Sequence, residues 1–131
     1  MRSLQDMYGF EGPICSFSYD LLWQGDSFPA LHTFEIMSVM SMLKSELGID
    51  AEKISLYAEG YPSIPLAAAI MLFKERFKFV EYAGETYDFD EIVREKFYDS
   101  RKIAGKIFPE VLQNLWIPEL LKWSVNKTNK E

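Results

Sequence analysis

The clearest candidates for chemistry are five consecutive residues between a predicted strand and a predicted helix: Ala58, Glu59, Gly60, Tyr61 and Pro62. We call this segment the elbow. In open α/β sheets, ligands and reacting groups gather where strands end and helices begin. A hydrolytic corner of the G-x-S-x-G type places a serine hydroxyl at its middle position, beside backbone donors. Here the middle position holds Gly60, so the sequence predicts a degenerate elbow with no catalytic residue.

The residues around the elbow disfavour two other uses of it. Ser63 lies three residues beyond Gly60, and we expect its hydroxyl to cap the next helix rather than act as a displaced nucleophile. The stretch has one glycine and no Lys-Ser or Lys-Thr pair, which a phosphate-binding loop would contain. Pro62 also removes one backbone N–H donor.

Metal and cofactor chemistry has little support in the composition. His32 is the only histidine and Cys15 is the only cysteine. A lone imidazole without a nearby nucleophile or second histidine is typical of a capping or surface residue. A single cysteine excludes an internal disulfide and a cysteine-based zinc site. We therefore predict no metal ion and no cofactor.

An acidic loop is predicted at residues 83–91, and four of its side chains are carboxylates: Glu85, Asp88, Asp90 and Glu91. Such a group could bind a divalent cation or supply a catalytic acid. The alternative is that Asp88 or Asp90 caps the next helix and Glu91 favours its first turn. The spacing matches no calcium loop, so capping is favoured, with Glu85 and Asp88 as a candidate ligand loop.

These groups would be positioned by a predicted βαβ unit that begins at Lys53 and ends at Tyr82. Its two strands should be parallel and its crossover right-handed. The predicted fold class is α/β, a helix-rich fragment of a three-layer sandwich with a small parallel sheet. The expected parts are a strand, the elbow, an apolar helix and a second strand, at residues 53–57, 58–62, 63–76 and 77–82.

Two helices are predicted before this unit, at residues 14–23 and 33–47. The first has apolar residues at helical spacing and ends near Gly25, although aromatic residues that alternate with serines leave a strand as the alternative. The second has an N-cap at Thr33 and ends at Gly48. Its methionines are expected to fill the core: Met37, Met40 and Met42.

Four short helices are predicted after the unit, at residues 89–97, 103–107, 109–115 and 118–123. Short helices separated by Pro, Gly and Asp should pack across other elements. Their expected anchors are large apolar residues: Phe108, Trp116, Leu120 and Trp123. The polar tail from Ser124 onward is predicted to be frayed.

The length and net charge of the chain limit the classes of protein to which it can belong. The chain has 131 residues, 48% of them hydrophobic, and a net charge of -6. We expect one domain at residues 1–124 and a disordered tail at residues 125–131. The negative charge disfavours nucleic acid and anionic lipid as partners. No run approaches the roughly 18 apolar residues of a membrane span, and no signal peptide is recognisable. We therefore expect a soluble protein, and the sequence assigns it to no particular cellular compartment.

The order of these segments resembles a known family. The pattern Gly-Ile-Asp-x-x-Lys-Ile at residues 48–54, the elbow and the Ala-rich run at residues 65–70 are similar to the middle of an α/β-hydrolase. A proline-marked helical stretch at residues 108–120 extends the similarity. The resemblance covers roughly residues 21–123 and is greatest to the bacterial acetyl xylan esterase and dienelactone hydrolase-like group.

This resemblance implies a serine ester hydrolase ancestor whose triad follows the order Ser, acid, His. The elbow serine is absent here, and His32 precedes the elbow instead of following the second strand. We therefore expect a hydrolase-like domain that acts as a structural or interaction unit and is not catalytic by itself. One alternative is an active esterase segment, completed by a missing part of the parent protein or by Glu85 or Asp88. Another is a small-molecule binder that uses Gly60 and Glu85.

A sheet of two parallel strands leaves both of its edges unpaired. Unpaired edges favour aggregation unless another chain or domain covers them, and very small sheets are marginally stable alone. We therefore predict self-association or contact with a missing parent domain, and neither nucleic acid nor membrane as a partner.

Overall fold

The computed structural model describes residues 13–84, 93–94, 107 and 117–128. In this part of the chain, helices predominate and two short strands form a small parallel sheet. The elements in chain order are α1 (Pro13–Trp23), α2 (Phe28–Ser45), a 3₁₀ helix (Ala51–Lys53), β1 (Ser55–Glu59), α3 (Ser63–Leu72), β2 (Phe79–Ala83) and α4 (Ile117–Thr128).

The predicted βαβ unit is confirmed. β1 and β2 pair in parallel, with Ser55 opposite Phe79 at the start of the register, and α3 lies between them in the chain. β1 begins at Ser55 because Lys53 belongs to the 3₁₀ helix. α3 ends at Leu72, four residues before the predicted end at residue 76, because Phe73 adopts an extended conformation.

α1 confirms the helix predicted at residues 14–23 and excludes the strand alternative. The chain turns after it at Gly25, whose φ is +78°. In α2, Met40 is buried in the core as predicted, whereas Met42 is 49% exposed and does not fill it. The methionine prediction is therefore wrong for Met42, which lies on the outer surface of the helix.

α3 is buried on nearly all sides, because its sequence contains no charged residue and is almost entirely apolar. Four of its apolar residues are fully buried: Ile64, Ala67, Ala69 and Ile70. The helix contacts α2, α4 and β1. A helix that is apolar on all sides is expected at the centre of a core. These three elements accordingly pack around α3.

Lys127 of α4 closes the carboxyl end of α3. Its Nζ donates hydrogen bonds to the carbonyls of Ile70 at 2.7 Å and Met71 at 3.2 Å, and also to that of Phe73. The last carbonyls of a helix have no partner within the helix, and a cation placed there also complements the helix dipole. This contact therefore fixes α4 against the end of the central helix.

One side of the sheet forms part of the hydrophobic core. Inward-pointing residues of both strands meet residues of α2 and α3 there, and Phe77 closes the cluster just before β2. The buried members of this cluster are Met40, Ala51, Ala58, Leu66, Ile70, Phe77 and Val80.

The other side of the sheet is exposed to solvent. Successive side chains of a strand point to opposite sides, so the outward residues alternate with the buried ones. Of the six outward residues, Ala83 is half-buried and the other five are exposed. We call these five the open face: Ser55, Tyr57, Glu59, Phe79 and Glu81. In the part of the chain that the structure describes, the sheet thus has one covered side and one open side.

α2 begins earlier than predicted. Its N-cap is Ser27, whose Oγ accepts a hydrogen bond from the Ala30 N–H at 3.3 Å. The prediction of an N-cap at Thr33 is wrong, because Thr33 lies inside the helix and its hydroxyl donates to the Pro29 carbonyl at 2.7 Å. Proline in the first turn is typical of a helix start and explains the earlier boundary. The turn beyond α2 is at Gly48, as predicted, with φ of +63°.

α4 extends through residues predicted to be frayed. Ser124 and Thr128 are buried at helical spacing from Leu120, and the Ser124 Oγ lies 2.7 Å from the hydroxyl of Tyr82 in β2. The prediction of a frayed tail is therefore wrong as far as Thr128, because these hydroxyl groups are hydrogen-bonded and can face the core. Leu120 is confirmed as an anchor, whereas Trp123 is 51% exposed and is not one.

Some predictions lie mainly outside the described residues. These are the acidic loop at residues 83–91, the helices at residues 89–97, 103–107 and 109–115, and the anchors Phe108 and Trp116. Among the helices that the structure does describe, none combines the length and the apolar character needed to cross a membrane.

Candidate functional site

The elbow joins β1 to α3 at the carboxyl end of the parallel pair. Ala58 and Glu59 end β1, and Gly60 turns the chain with φ of +68°. The Gly60 N–H donates to the Ala83 carbonyl at 2.9 Å. Gly84 follows β2 with φ of +75°, and a Cβ added there would lie 3.2 Å from the Gly60 nitrogen. The absence of a side chain at Gly84 therefore allows the two strand ends to approach closely.

The amino end of α3 keeps its backbone donors occupied. The N–H groups of Ser63, Ile64 and Leu66 donate to the carbonyls of residues 60–62, each at 3.1 Å. The two other positions of this turn are prolines, which have no N–H. A phosphate or an oxyanion at a helix N-terminus needs free N–H donors. These positions therefore offer no cradle for either group.

Ser63 is the first residue of α3, and the prediction that it caps the helix is wrong. The N-cap position is Pro62, and no side chain caps the helix there. Ser63 has no exposed surface, and within the described residues its Oγ is the one buried side-chain oxygen or nitrogen without a hydrogen-bond partner. A nucleophilic serine needs a base within hydrogen-bond reach and access to substrate. Ser63 has neither.

His32 lies in the second turn of α2 and contacts the elbow. Its Nδ1 is 3.0 Å from the Tyr61 hydroxyl, and the two rings meet edge to face at 5.8 Å. The Phe28 ring is 5.7 Å from the imidazole, centroid to centroid, and the Phe17 ring of α1 is 5.3 Å from that of Phe28. This row of rings joins two helices to the elbow. The prediction of His32 as a cap or surface residue is therefore wrong, because it is a packing residue.

Burial raises the pKa of Tyr61 to about 12. Its phenol is therefore protonated at neutral pH and can donate a hydrogen bond to the neighbouring imidazole nitrogen. Thr33, next to His32 in α2, adds a second link, because its hydroxyl lies 3.4 Å from the Pro65 carbonyl. Both contacts hold α2 against the start of α3, and neither activates a nucleophile.

The candidate ligand loop with Glu85 and Asp88 lies outside the described residues, so its predicted role stays a prediction. Where the structure places side chains, it brings together no group of three or more His, Cys, Asp and Glu residues that could hold a metal ion. The described residues of the elbow region therefore show neither an activated nucleophile nor a group that could hold a metal ion.

The open face is a second candidate site, and it combines aromatic rings with carboxylates. Tyr57 is 62% exposed and Phe79 is 47% exposed. In the parallel register, Tyr57 lies opposite Glu81 and Ser55 lies opposite Phe79. The Tyr57 hydroxyl is 3.5 Å from a carboxylate oxygen of Glu59. The negative charge of Glu59 is the main cause that raises the pKa of Tyr57, and the charge of Glu81 raises it further. Both carboxylates therefore lie close enough to Tyr57 to affect its hydroxyl.

Neither the open face nor the contact between His32 and Tyr61 was predicted from the sequence. A signal for the open face exists, because alternating buried and exposed positions are typical of a strand with one solvated side. In β1 this alternation runs through Ser55, Tyr57 and Glu59. The contact between His32 and Tyr61 has no local signal, because the two residues are 29 positions apart and meet only when α2 packs on α3.

Comparisons of this chain with protein-family models, with curated proteins and with solved structures found no match. Its function is therefore inferred from the geometry of the elbow and of the open face.

Proposed function

We propose that this chain is a non-catalytic interaction domain that binds a partner protein through the open face. A parallel sheet is normally covered on both sides. Tyr57 and Phe79 instead lie on an uncovered side with 62% and 47% of their surface exposed. This exposure is the observation that carries the proposal, because aromatic residues are enriched at the buried centres of protein interfaces.

The elbow supports the non-catalytic part of the proposal. Gly60 supplies no nucleophile, and the buried Ser63 hydroxyl has no base as its partner. The first-turn N–H groups of α3 are already hydrogen-bonded. A substrate at the elbow would have to break these contacts before reaction. The elbow therefore acts as a structural joint between β1 and α3.

Descent from an α/β-hydrolase of the acetyl xylan esterase and dienelactone hydrolase-like group belongs to the same proposal. Its support is the order of a parallel strand, a glycine with positive φ, a buried helix and a second parallel strand. In such an ancestor, further elements would cover the second side of the sheet. We propose that a partner segment now takes that place and completes a three-layer arrangement.

The binding function is tested by selecting short peptides from an unbiased display library on the full chain. We expect selected peptides to lose at least about tenfold in affinity against the double variant Tyr57→Ser/Phe79→Ser. The matched control is Phe34→Ser, because Phe34 is an aromatic residue of α2 that is 69% exposed and does not belong to the sheet. Peptides whose affinity is unchanged by the double variant would overturn the proposal.

The alternative, an active esterase segment, is tested with a chromogenic acetyl ester. We expect the full chain to give no turnover above the buffer rate, because no described residue activates a nucleophile. Turnover that is lost in Ser63→Ala, Glu85→Ala or Asp88→Ala would contradict the non-catalytic part of the proposal. Each of these variants leaves the open face unchanged, so the two tests are independent.

A further inference from the structure

The open face has a charge of one sign. Its two ionisable carboxylic residues are Glu59 and Glu81, and it contains neither lysine nor arginine. The nearest cations in the sequence precede the strands, at Lys53 and Lys78, and the Lys53 ammonium lies 3.4 Å from the carboxylate of Asp50. A partner that buries these carboxylates must supply positive charge, because an unpaired buried charge is strongly destabilising.

The arrangement of residues on the open face distinguishes between the two basic side chains that a partner could offer, arginine and lysine. Tyr57 has Glu81 directly across the sheet and Glu59 at the next outward position of its own strand. Strand neighbours lie about 5 Å apart across the sheet, and outward residues of one strand lie about 7 Å apart. One long side chain that rests on the Tyr57 ring can therefore reach both carboxylates. A guanidinium stacks on aromatic rings and pairs with carboxylates through two parallel hydrogen bonds. An ammonium offers no such planar match, so the face favours arginine over lysine.

A second copy of this chain fits the open face poorly. A symmetric dimer would place the same surface on both sides of the interface. Because the open face contains no cation, Glu59 and Glu81 of each copy would then be buried among carboxylates without a positively charged partner. Like charges brought together and desolvated cost several kcal/mol in the typical case. The charge of the face therefore favours a different, basic partner over self-association.

The covered side of the sheet indicates the form of that partner. α2 and α3 pack there through apolar residues, as helices normally do on the sides of parallel sheets. On the basis of the interaction function above, we propose that the open face binds an amphipathic helix of a partner protein, whose arginines stack on Tyr57 and Phe79 and pair with Glu59 and Glu81. Apolar residues of the same helix would cover the remaining ring surface.

The test uses the full chain and synthetic helical peptides with a leucine stripe flanked by arginines. Two matched peptides replace every arginine, one with lysine and one with neutral citrulline. We expect the arginine peptide to bind, the lysine peptide to bind more weakly, and the citrulline peptide to lose at least about tenfold in affinity. Glu59→Gln/Glu81→Gln should reduce the affinity for the arginine peptide by about the same factor. Added salt should weaken that binding too.

The outcomes separate this inference from the proposed function. Binding that needs Tyr57 and Phe79 but is unchanged by Glu59→Gln/Glu81→Gln would overturn the arginine inference and leave the interaction function intact. Binding of every peptide that is unchanged by Tyr57→Ser/Phe79→Ser would overturn both. A dimer in solution that dissociates in Tyr57→Ser/Phe79→Ser would also overturn the inference, since a second copy would then occupy the face.

Discussion

The two sides of the sheet in this protein differ in almost every physical respect. On the covered side, Val80 and Ala58 pack against the fully buried Ile70 of α3. On the open face, Tyr57 and Phe79 of the same two strands are exposed beside carboxylates. One pair of strands thus serves as part of a core on one side and as a polar aromatic surface on the other.

This difference separates the residues that stabilise the fold from those that are available for binding. The elbow lies at the carboxyl end of the strands, where the α/β architecture would ordinarily place a reacting group. At that place Gly60 supplies no nucleophile, the first-turn amides of α3 are already hydrogen-bonded, and His32 contacts Tyr61. Function by binding at the open face would leave this stabilising side unchanged.

The largest contrast is expected between core and open-face substitutions. Ile70→Ala should lower the free energy of unfolding by about 2–5 kcal/mol, because it removes buried methylene groups and leaves a cavity. Phe79→Ala should change it by about 0.5 kcal/mol or less, since the side chain is half exposed. Urea denaturation of both variants measures this difference. Equal losses would mean that the open face also stabilises the fold.

Lys127→Met tests whether the covered side depends on a charged contact. We expect a loss of about 1–3 kcal/mol in the free energy of unfolding, because three carbonyls at the end of α3 lose a charged donor. Lys122→Met is the matched control, since Lys122 lies on the same helix and is exposed. A similar result for both variants would show that the cap is unimportant.

Gly60→Ser tests the elbow directly. Because Gly60 has φ of +68°, we expect a cost of about 1–2 kcal/mol in stability and no turnover of a chromogenic acetyl ester. Gly48→Ser controls for the backbone cost, since Gly48 has φ of +63° and open space around its Cβ position. Ester turnover in Gly60→Ser alone would indicate a working acid and base near the elbow and would contradict its role as a purely structural joint.

The effect confined to the narrowest range of conditions concerns alkaline pH. The folded protein holds the Tyr61 proton up to about pH 12, whereas the unfolded chain releases it near the usual pKa of about 10. Between these values the unfolded state binds fewer protons, so the stability that this phenol contributes is present below about pH 10 and falls as the pH rises toward 12. Tyr61→Phe should flatten this dependence in alkaline denaturation curves. An unchanged slope would mean that the phenol is not buried.

The sequence predicts the βαβ unit well because its signals are local. An uncharged apolar segment between two β-rich runs has few alternatives to a buried helix between parallel strands. The start of α2 was assigned incorrectly because Ser27 and Thr33 are both acceptable caps, and only the packed structure distinguishes them. The end of α4 was missed because Ser124 and Thr128 are polar residues that become buried through hydrogen bonds.

The candidate site was predicted less well than the fold. The elbow lies where the sequence placed it, and its glycine has the expected turn conformation. Burial of Ser63 and the contact of His32 with Tyr61 depend on how α2 packs against α3, which no local pattern reports. The open face was not predicted because the expected three-layer arrangement would have covered both sides of the sheet.

The most direct test of binding at the open face is a backbone amide NMR titration of the full chain with a peptide selected by display. We predict that the largest shifts occur at residues 55–59 and 79–81, which carry the open face, with little change at His32 and Ser63. The largest shifts at Gly60, Ser63 and His32 would contradict this prediction, because the elbow would then be the binding site.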